Sequence, residues 1–406
     1  MNNRIRLLSA VLVLTLSTFA MSIETDRTWY LAGETMEVGV TVDDAMIAYA
    51  ELCDTHSMAA GVVINLQGGV GKGFVELPLS LHSGYYVLSV YTRHNTDVSQ
   101  RLVAIVNPLR KSKDDDIEWV SCDGQSWGQT AWKQEPVLMT TQKAVDVRES
   151  EGHIIKARVQ NVFGGNTYNS SQIRPSIGIV GKQIHYFEGK MVNDSMAVFN
   201  TYGVHGKLPL VLSAVSSSGV SLPIEMISPF ATLLPKELPH LVFHYNRSEV
   251  EARSLDMQRH QMAIAPAEEG VSLDYEETVF GNEPDLTYNL DEYRQFLTIR
   301  EVLLEYVNCV SNLRINDIPQ LIVHVGMAPS TSLWPSLVLI DGMPVINIER
   351  LLNYDARRIH YINIYGGQYT FGNGVYHGIL SFVTRSGRLT NYPTEPNTQY
   401  LVYDFP

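Results

Sequence analysis

The chain has 406 residues, of which 45% are hydrophobic and 18% are charged, and its formal net charge at pH 7 is −13. This composition is typical of a globular protein and excludes a disordered one, and the length is enough for two or three domains. The acidic balance argues against binding to nucleic acid or to anionic lipid. Tyrosine (21) outnumbers phenylalanine (12), and valine and isoleucine are frequent, which favours strands over helices.

Residues 1–20 are predicted to be a secretory signal peptide. Arg4 and Arg6 form a basic start, and the apolar run from Leu7 to Leu16 is too short to span a bilayer. Thr18-Phe19-Ala20 places small residues at the expected cleavage spacing. An uncleaved anchor is the alternative. Because of the predicted signal peptide, we expect an exported protein. No later stretch is long and apolar enough for a membrane helix.

The next segment, residues 22–107, is predicted to be an antiparallel β-sandwich. A turn at Ala32-Gly33 precedes an alternating apolar run, and Gly84 to Tyr91 alternates in the same way after a Ser-Gly turn. The words TDRTWYLAGETMEVGV and LPLSLHSGYYVLSVYT resemble the macroglobulin-type β-sandwich of exported Bacteroidetes proteins. Within this pattern Asp26 and Arg27 are expected to orient the turn and to take no part in chemistry.

Residues 108–149 are less regular and contain three tryptophans, Trp119, Trp127 and Trp132. One interpretation is a linker that lays aromatic side chains against neighbouring sandwiches, and the other is a sugar-stacking patch. Residues 150–232 contain strand-like runs separated by glycine, serine and asparagine, which predicts a second β-sandwich. Residues 233–285 are predicted to be a connecting segment, with a strand at Leu241 to Tyr245.

The last region combines a helix with several strands. Apolar residues recur at helical spacing between Asn289 and Val310, and Thr298 followed by Glu301 has the spacing of a capping box. Asp341-Gly342 is a strong hairpin signal because it lies between apolar strands. A glycine-rich turn, Tyr369 to Gly374, then separates two further strands.

Residues 286–390 resemble the plug domain of TonB-dependent outer-membrane receptors. The resemblance depends on S-L-V-L-I-D-G-M-P-V, on I-H-Y-I-N-I and on Y-T-F-G-N-G followed by G-I-L-S-F-V-T-R. In the middle word, His360 and Asn363 replace the two acidic residues of the receptor pattern. The resemblance implies a small mixed sheet in the periplasm or at the outer membrane, and here no sequence for the receptor barrel accompanies it.

Motifs for catalysis and metal binding are incomplete. The cluster Gly68 to Gly73 lacks the glycine spacing and the hydroxyl of a phosphate-binding loop. Cys122 and Gln125 have the spacing of the thioester of complement-like macroglobulins, but Ser121, Asp123 and Gly124 depart from that motif. His240 and His244 are four residues apart on a predicted strand, too far apart to share one metal ion.

Three cysteines, Cys53, Cys122 and Cys309, are widely spaced, and their odd number leaves at least one thiol unpaired. Export would permit one disulfide, but the sequence does not say which two cysteines would form it. We expect that the fold needs none. No cofactor and no metal site is predicted.

The sequence therefore predicts a mainly β protein with tandem antiparallel β-sandwiches, macroglobulin- or Ig-like, followed by a small α+β plug-like domain. The predicted segments are 1–20 (signal peptide), 22–107 (first sandwich), 108–149 (linker), 150–232 (second sandwich), 233–285 (connection), 286–390 (plug-like domain) and 391–406 (tail).

The predicted function is non-catalytic binding of an envelope protein or glycan in a Gram-negative, Bacteroidetes-like bacterium. The alternatives are an accessory of a TonB-dependent uptake system, which would contact an outer-membrane barrel protein, a hydrolase with an unrecognised site, and a protease-trapping macroglobulin relative. The candidate binding residues are Trp119, Trp127, Trp132, Asp341, Gly342, Gly372 and Gly374. The four turn residues are expected to shape turns more than to touch a ligand.

Overall fold

The computed structural model describes residues 21–93, 98–122, 149–181, 183–264, 278–315, 318–325, 336–387, 389, 392–393 and 395–406. Twenty-seven strands and three α-helices are found in these residues, so the predicted mainly β fold is confirmed. They form two β-sandwiches and one mixed α+β unit.

The first sandwich is built from eight strands in two sheets. The strands are β1 (Ser22–Thr25), β2 (Trp29–Leu31), β3 (Thr35–Thr41), β4 (Ile47–Cys53), β5 (Met58–Asn65), β6 (Val70–Glu76), β7 (Gly84–Tyr91) and β8 (Val98–Val106). One sheet has the order β1-β3-β6 and the other β2-β8-β7-β4-β5. The predicted alternation holds in β3, since Met36, Val38 and Val40 point into the core shared by the two sheets. Asp26 orients the turn as expected, because it accepts hydrogen bonds from the Tyr30 hydroxyl and the Glu37 amide.

The second sandwich follows a short strand, β9 (Ile117–Ser121). Its strands are β10 (His153–Val159), β11 (Val162–Phe163), β12 (Asn166–Thr167), β13 (Ile173–Ile179), β14 (His185–Glu188), β15 (Lys190–Asn193), β16 (Met196–Thr201), β17 (Gly206–Ser216) and β18 (Ile224–Ile227). One of its sheets has the order β15-β16-β10-β18. The other contains β14-β13-β17 and a last strand from the far end of the chain.

The connecting segment contains a strand, β19 (Leu241–Tyr245), and the longest of the described helices, α1 (Arg247–Ile264). β19 pairs in parallel with β9, so the segment predicted as a linker contributes to a small two-stranded sheet. No hydrophobic pattern in the sequence predicts α1. Its sequence has no apolar stripe, and among its described side chains Val250 and Met257 are the buried apolar residues.

The mixed unit has the elements β20 (Leu286–Asn289), α2 (Ile299–Glu305), β21 (Val310–Ile315), β22 (Ile318–Val323), β23 (Leu337–Ile340), β24 (Met343–Pro344), α3 (Ile348–Leu352), β25 (Ile359–Phe371) and β26 (Gly374–Thr384). Its main sheet has the order β20-β25-β26-β23-β24 and combines antiparallel pairs with one parallel pair, β23 with β26. The predicted capping box is confirmed, because Thr298 and Glu301 bond reciprocally at the start of α2. Helix α2 is shorter than the periodic stretch from which it was predicted.

The carboxyl-terminal residues form a strand and not a free tail. β27 (Gln399–Phe405) pairs antiparallel with β17, from Gly206 opposite Phe405 to Leu212 opposite Gln399. Tyr403 and Phe405 are buried in the core of the second sandwich. The tail prediction is therefore wrong, because alternate side chains of this segment supply apolar surface that the sandwich buries. The mixed unit is inserted between two parts of the second sandwich.

Candidate functional site

The turns of the mixed unit that the sequence singled out lie against the second sandwich. Gly342 has φ +83°, and a Cβ atom there would lie 2.3 Å from the carbonyl oxygen of Ile179. Gly372 has φ +60°, and its Cβ would lie 2.3 Å from the carbonyl oxygen of Glu188. At both positions glycine is required by the backbone conformation and by the close approach of β13 and β14.

Gly374 also faces Glu188, since a Cβ atom at this position would lie 2.3 Å from Glu188 Oε2. Asp341 has no exposed surface. Its carboxylate accepts hydrogen bonds from the Thr384 amide (2.7 Å), the Thr384 hydroxyl (2.6 Å) and the Leu389 amide (2.8 Å). Burial raises the pKa of Asp341, and these hydrogen bonds partly oppose the rise. These residues therefore hold the turns and the domain junction.

The tryptophans are not brought to these turns. Trp119 lies on β9 with 39% of its surface exposed, and its ring meets Phe243 and Tyr245 edge-on at 5.5 and 5.3 Å. This packing agrees with the interpretation that the segment lays aromatic side chains on its neighbours. Trp127 and Trp132 lie outside the described residues.

A cleft of about 230 Å³ lies between the second sandwich and the mixed unit. One wall is the outer surface of β13, β14 and β17, and the other comes from β22, β23, β26 and the residues that follow β24. The polar side chains that line it belong to Arg174, Ser176, Tyr186, Glu188, Ser213, Ser216, Ser217, Gln320, Ser336 and Tyr376. This set is hard to recognise in the sequence, because one wall comes from residues 174–219 and the other from residues 318–376.

The charged group of the cleft is an ion pair bonded to a tyrosine. Arg174 donates from Nε to Glu188 Oε1 at 3.2 Å and from Nη2 to Glu188 Oε2 at 2.8 Å. Nη2 also donates to the Tyr376 hydroxyl at 2.9 Å, and this hydroxyl in turn donates to Glu188. Tyr186 lies within hydrogen-bond distance of the same hydroxyl, 2.9 Å away. The two opposite charges cancel, and the pair links β13 and β14 to β26.

The pKa values of Tyr376 and Arg174 are both raised, so the tyrosine stays neutral and the guanidinium stays charged. Burial first, and then the neighbouring Tyr186, raise the pKa of Tyr376 well above its usual value, so its hydroxyl keeps its proton. Partial burial alone would lower the pKa of Arg174, but the hydrogen bonds to Glu188 and the nearby tyrosine hydroxyls raise it overall. Tyr376 therefore stays an uncharged hydrogen-bonding group beside the charged guanidinium of Arg174.

Four of the five serines that line the cleft bond through their hydroxyl groups to another serine or to the backbone. Ser176 Oγ lies 2.8 Å from Ser213 Oγ, and Ser216 Oγ lies 2.9 Å from Ser218 Oγ. Ser336 Oγ donates to the carbonyl oxygen of His377 at 2.6 Å. No histidine or cysteine is among the described lining residues, so no serine there meets an imidazole base.

Three further features bear on chemistry. Within the described ranges, no three His, Cys, Asp or Glu side chains are arranged to hold a metal ion. All three cysteines are free, and burial raises the pKa of Cys53 to about 12, with Glu51 and Asp54 adding to the rise. None of the described helices is long and apolar enough to pass through a membrane.

No protein-family model matches the sequence, and no curated protein is significantly similar to it. Solved structures give loose matches. Native Escherichia coli alpha-2-macroglobulin is 11% identical with a TM-score of 0.19, and the match covers 53% of this chain and 14% of that chain. The BSP domain of a biofilm-associated protein is 10% identical with a TM-score of 0.18, covering 53% and 30%.

The adhesin InvE of Yersinia pseudotuberculosis is 11% identical with a TM-score of 0.17, and the match covers 53% of this chain and 59% of the adhesin. The chain thus spans less than two thirds of each of these three structures. At these TM-scores no superposition shows a shared arrangement of domains. The mainly β architecture is established by the strands and sheets described above.

Proposed function

We propose that this protein is a non-catalytic binding protein of a Gram-negative cell envelope and that it holds its partner in the cleft between the second sandwich and the mixed unit. The observation that carries the proposal is that the polar side chains of the cleft form hydrogen bonds with one another. Arg174, Glu188 and Tyr376 satisfy one another, and the neighbouring hydroxyl groups of Ser176, Ser213 and Ser336 bond to another serine or to the backbone. Such a surface supplies hydrogen bonds and apolar contact without an activated nucleophile.

The partner that fits is uncharged where it enters the cleft. Arg174 and Glu188 cancel, so a charged group would gain no net attraction there. The volume of about 230 Å³ is below the range of roughly 300–1,000 Å³ that drug-sized ligands occupy. We infer that the cleft takes one sugar unit of a glycan, or one or two side chains of a protein.

Export to the envelope is supported by the sequence. The basic start and the apolar run from Leu7 to Leu16 fit a signal peptide. The words around Asp26-Arg27 resemble exported Bacteroidetes proteins, and those around Asp341-Gly342 resemble the plug domain of TonB-dependent outer-membrane receptors. Cell fractionation tests this part. Recovery of the full-length protein in the cytoplasmic fraction, with residues 1–20 still attached, would show that it is wrong.

An accessory role in TonB-dependent uptake is the second candidate. It is favoured by the Asp341-Gly342 hairpin between β23 and β24, where both turn residues have positive φ, and by the mixed sheet that contains it. This candidate requires stable co-purification with an outer-membrane barrel protein.

Photocrosslinking tests the cleft directly. Ser217 is exposed on its rim, so p-benzoylphenylalanine placed there reaches any occupant, protein or glycan. Asn166, exposed on the β11–β12 hairpin and absent from the cleft lining, is the matched control position. We expect a discrete crosslinked species from intact envelopes with the probe at 217 only, and competition by unlabelled wild-type protein.

A blocking variant completes the test. Ser217→Trp fills the rim of the cleft and leaves its packed walls intact, so this protein should not compete for the crosslink, whereas Asn166→Trp should compete as well as the wild type. Equal labelling from positions 166 and 217, or competition by Ser217→Trp, would refute the cleft as the binding site.

A further inference from the structure

A tight turn before the mixed sheet carries an aromatic residue in an unfavourable backbone conformation. Val279 and Asn282 exchange backbone hydrogen bonds of 3.0 and 2.9 Å across the two-residue turn Phe280-Gly281. Phe280 has φ +50° and Gly281 φ +78°, the pattern of a type I′ turn. Such turns favour Asn-Gly, Asp-Gly or Gly-Gly, and a bulky residue at positive φ is a true outlier. The first turn position is therefore occupied by a residue that strains it.

The side chain of Phe280 gains little from burial. It remains 58% exposed, while Val279 beside it is fully buried and anchors the turn. The Phe280 ring stacks on Phe371 with centroids 5.3 Å apart and planes at 23°. Phe371 is itself fixed by the edge of Tyr186 at 5.6 Å. One face of Phe280 thus has a rigid backing, and the rest of the ring is open to solvent.

The groups around this turn are polar, and most are uncharged. Thr278 pairs with Gln183, whose Oε1 lies 3.1 Å from His185 Nε2 at the exposed edge of β14. On the other side, the partly exposed Tyr369 stacks on Phe371 at 6.3 Å. A Cβ atom added at the neighbouring Gly281 would meet nothing within 4 Å, so the turn is open to solvent beside the ring.

The carboxylate oxygens of Asp285 lie near Tyr369. Asp285 accepts a hydrogen bond from the Gly366 amide at 2.6 Å, just before Tyr369 on β25. Burial raises the pKa of Tyr369, and the negative charge of Asp285 raises it further. Amide and imidazole groups therefore lie beside Thr278, and phenol and carboxylate groups lie beside Phe371, on the two sides of the exposed Phe280 ring. A protein-binding hot spot would instead have its aromatic anchor within a larger apolar core.

We propose that Phe280 is a stacking platform for a sugar ring of a neutral polysaccharide. The apolar C–H face of a pyranose lies on the open face of the aromatic ring, and the surrounding polar groups bond its hydroxyls. A neutral ligand is also compatible with the net charge of −13. The strain at Phe280 is retained because asparagine, which suits the turn, offers no aromatic face. This site is separate from the cleft and does not depend on the function proposed for it.

The test separates turn stability from binding. The purified protein, without residues 1–20, is run in native gels containing mannan, xylan, laminarin or dextran, and its mobility is compared with that in gels without polysaccharide. We expect at least one polysaccharide to retard the wild type. Phe280→Asn should weaken the retardation at least tenfold while its Tm stays equal or rises, because Asn-Gly suits the turn. Phe280→Tyr should retain the retardation.

Each other outcome overturns the proposal. These outcomes are a wild type that none of the four polysaccharides retards, a retardation that Phe280→Asn keeps, and a Tm that Phe280→Asn lowers. Ser217→Trp distinguishes this site from the cleft. It should leave the retardation unchanged, and loss of retardation in that variant would place sugar binding in the cleft instead.

Discussion

Arg93 donates a hydrogen bond from Nη1 to Glu149 Oε1 at 2.9 Å, and both side chains are buried at the junction of the two sandwiches. Arg93 follows β7 of the first sandwich, and Glu149 precedes β10 of the second. Tyr49 donates to the same Glu149 oxygen at 2.6 Å. A buried charge is stable only when it is paired and fully hydrogen-bonded, so this cluster fixes how the two sandwiches meet.

The same cluster reaches the carboxyl-terminal strand. His153 Nδ1 lies 3.3 Å from Glu149 Oε1, and His153 Nε2 lies 2.6 Å from the Tyr403 hydroxyl on β27. Arg93 also donates to the carbonyl oxygen of Ile154 at 2.7 Å. Residues from both sandwiches and from the end of the chain therefore share one buried network, which makes their relative placement depend on each partner.

Removal of one partner of the ion pair should destabilise the protein strongly. We expect Arg93→Met to lower the free energy of unfolding by about 3–5 kcal/mol, because it leaves the Glu149 charge buried without its cation. Urea unfolding followed by fluorescence measures the change. Lys72→Met is the control, since Lys72 forms an exposed pair with Glu37 and should change stability little. Equal effects of the two substitutions would contradict the role assigned to the buried pair.

The network should also make stability depend on pH through His153. Burial lowers the pKa of His153 below its ordinary value of 6.5, although its hydrogen bond to Glu149 and the charge of that carboxylate oppose the shift. For Glu149, burial alone would raise the pKa, but His153 and Arg93 hold it below 4.5. Both groups thus have lowered pKa values in the folded protein, so their contribution is full above about pH 6.5 and declines as the pH falls.

Comparison with His153→Gln isolates this contribution. Glu51 and Asp341, whose pKa values burial raises, act in the opposite direction and are unchanged in the variant. We expect the Tm of the wild type to fall more steeply than that of His153→Gln between about pH 7 and pH 5. Parallel Tm profiles would mean that His153 takes up no proton differentially on unfolding.

Close approach at the junction with the mixed unit gives a third prediction. Gly342→Ala combines an unfavourable positive φ with a Cβ atom 2.3 Å from the Ile179 carbonyl oxygen. Gly203→Ala is the matched control, because Gly203 also has positive φ (+67°) but no atom lies within 4 Å of the added Cβ. We expect Gly342→Ala to cost more than about 1 kcal/mol and the control to cost less, as measured by chemical unfolding. Equal losses would show that the junction relaxes without cost.

Local patterns predicted local structure well. The alternation of Met36, Val38 and Val40 gave β3, and the Thr298–Glu301 spacing gave the start of α2, because in each case the signal lies within one element. Helix α1 was not predicted, since only Val250 and Met257 of its described apolar side chains are buried, and no periodic stripe results. A helix held by so few contacts leaves little trace in the hydrophobic pattern.

The candidate cleft could not be predicted from sequence patterns, for a different reason. Arg174, Glu188 and Tyr376 lie on three strands, and the pairs that join them are 14, 188 and 202 residues apart. Each residue alone resembles an ordinary exposed strand position. The pairing of β13 with β14 brings Arg174 close to Glu188, and the contact of the mixed unit with β14 adds Tyr376.

The closure of the second sandwich by β27 can be tested on the strand itself. Phe405 is 3% exposed and packs in the sandwich core, whereas Val402 on the same strand is 67% exposed. Phe405→Ala should lower the free energy of unfolding by about 3–5 kcal/mol, because it removes buried apolar surface and leaves a cavity. Val402→Ala should change it by less than about 0.5 kcal/mol.

Amide hydrogen exchange tests the same closure locally. Because β27 pairs with β17, Phe405→Ala should also lower the protection factors of the β17 amides. Unchanged exchange in β17 would mean that β27 does not secure this edge of the sandwich.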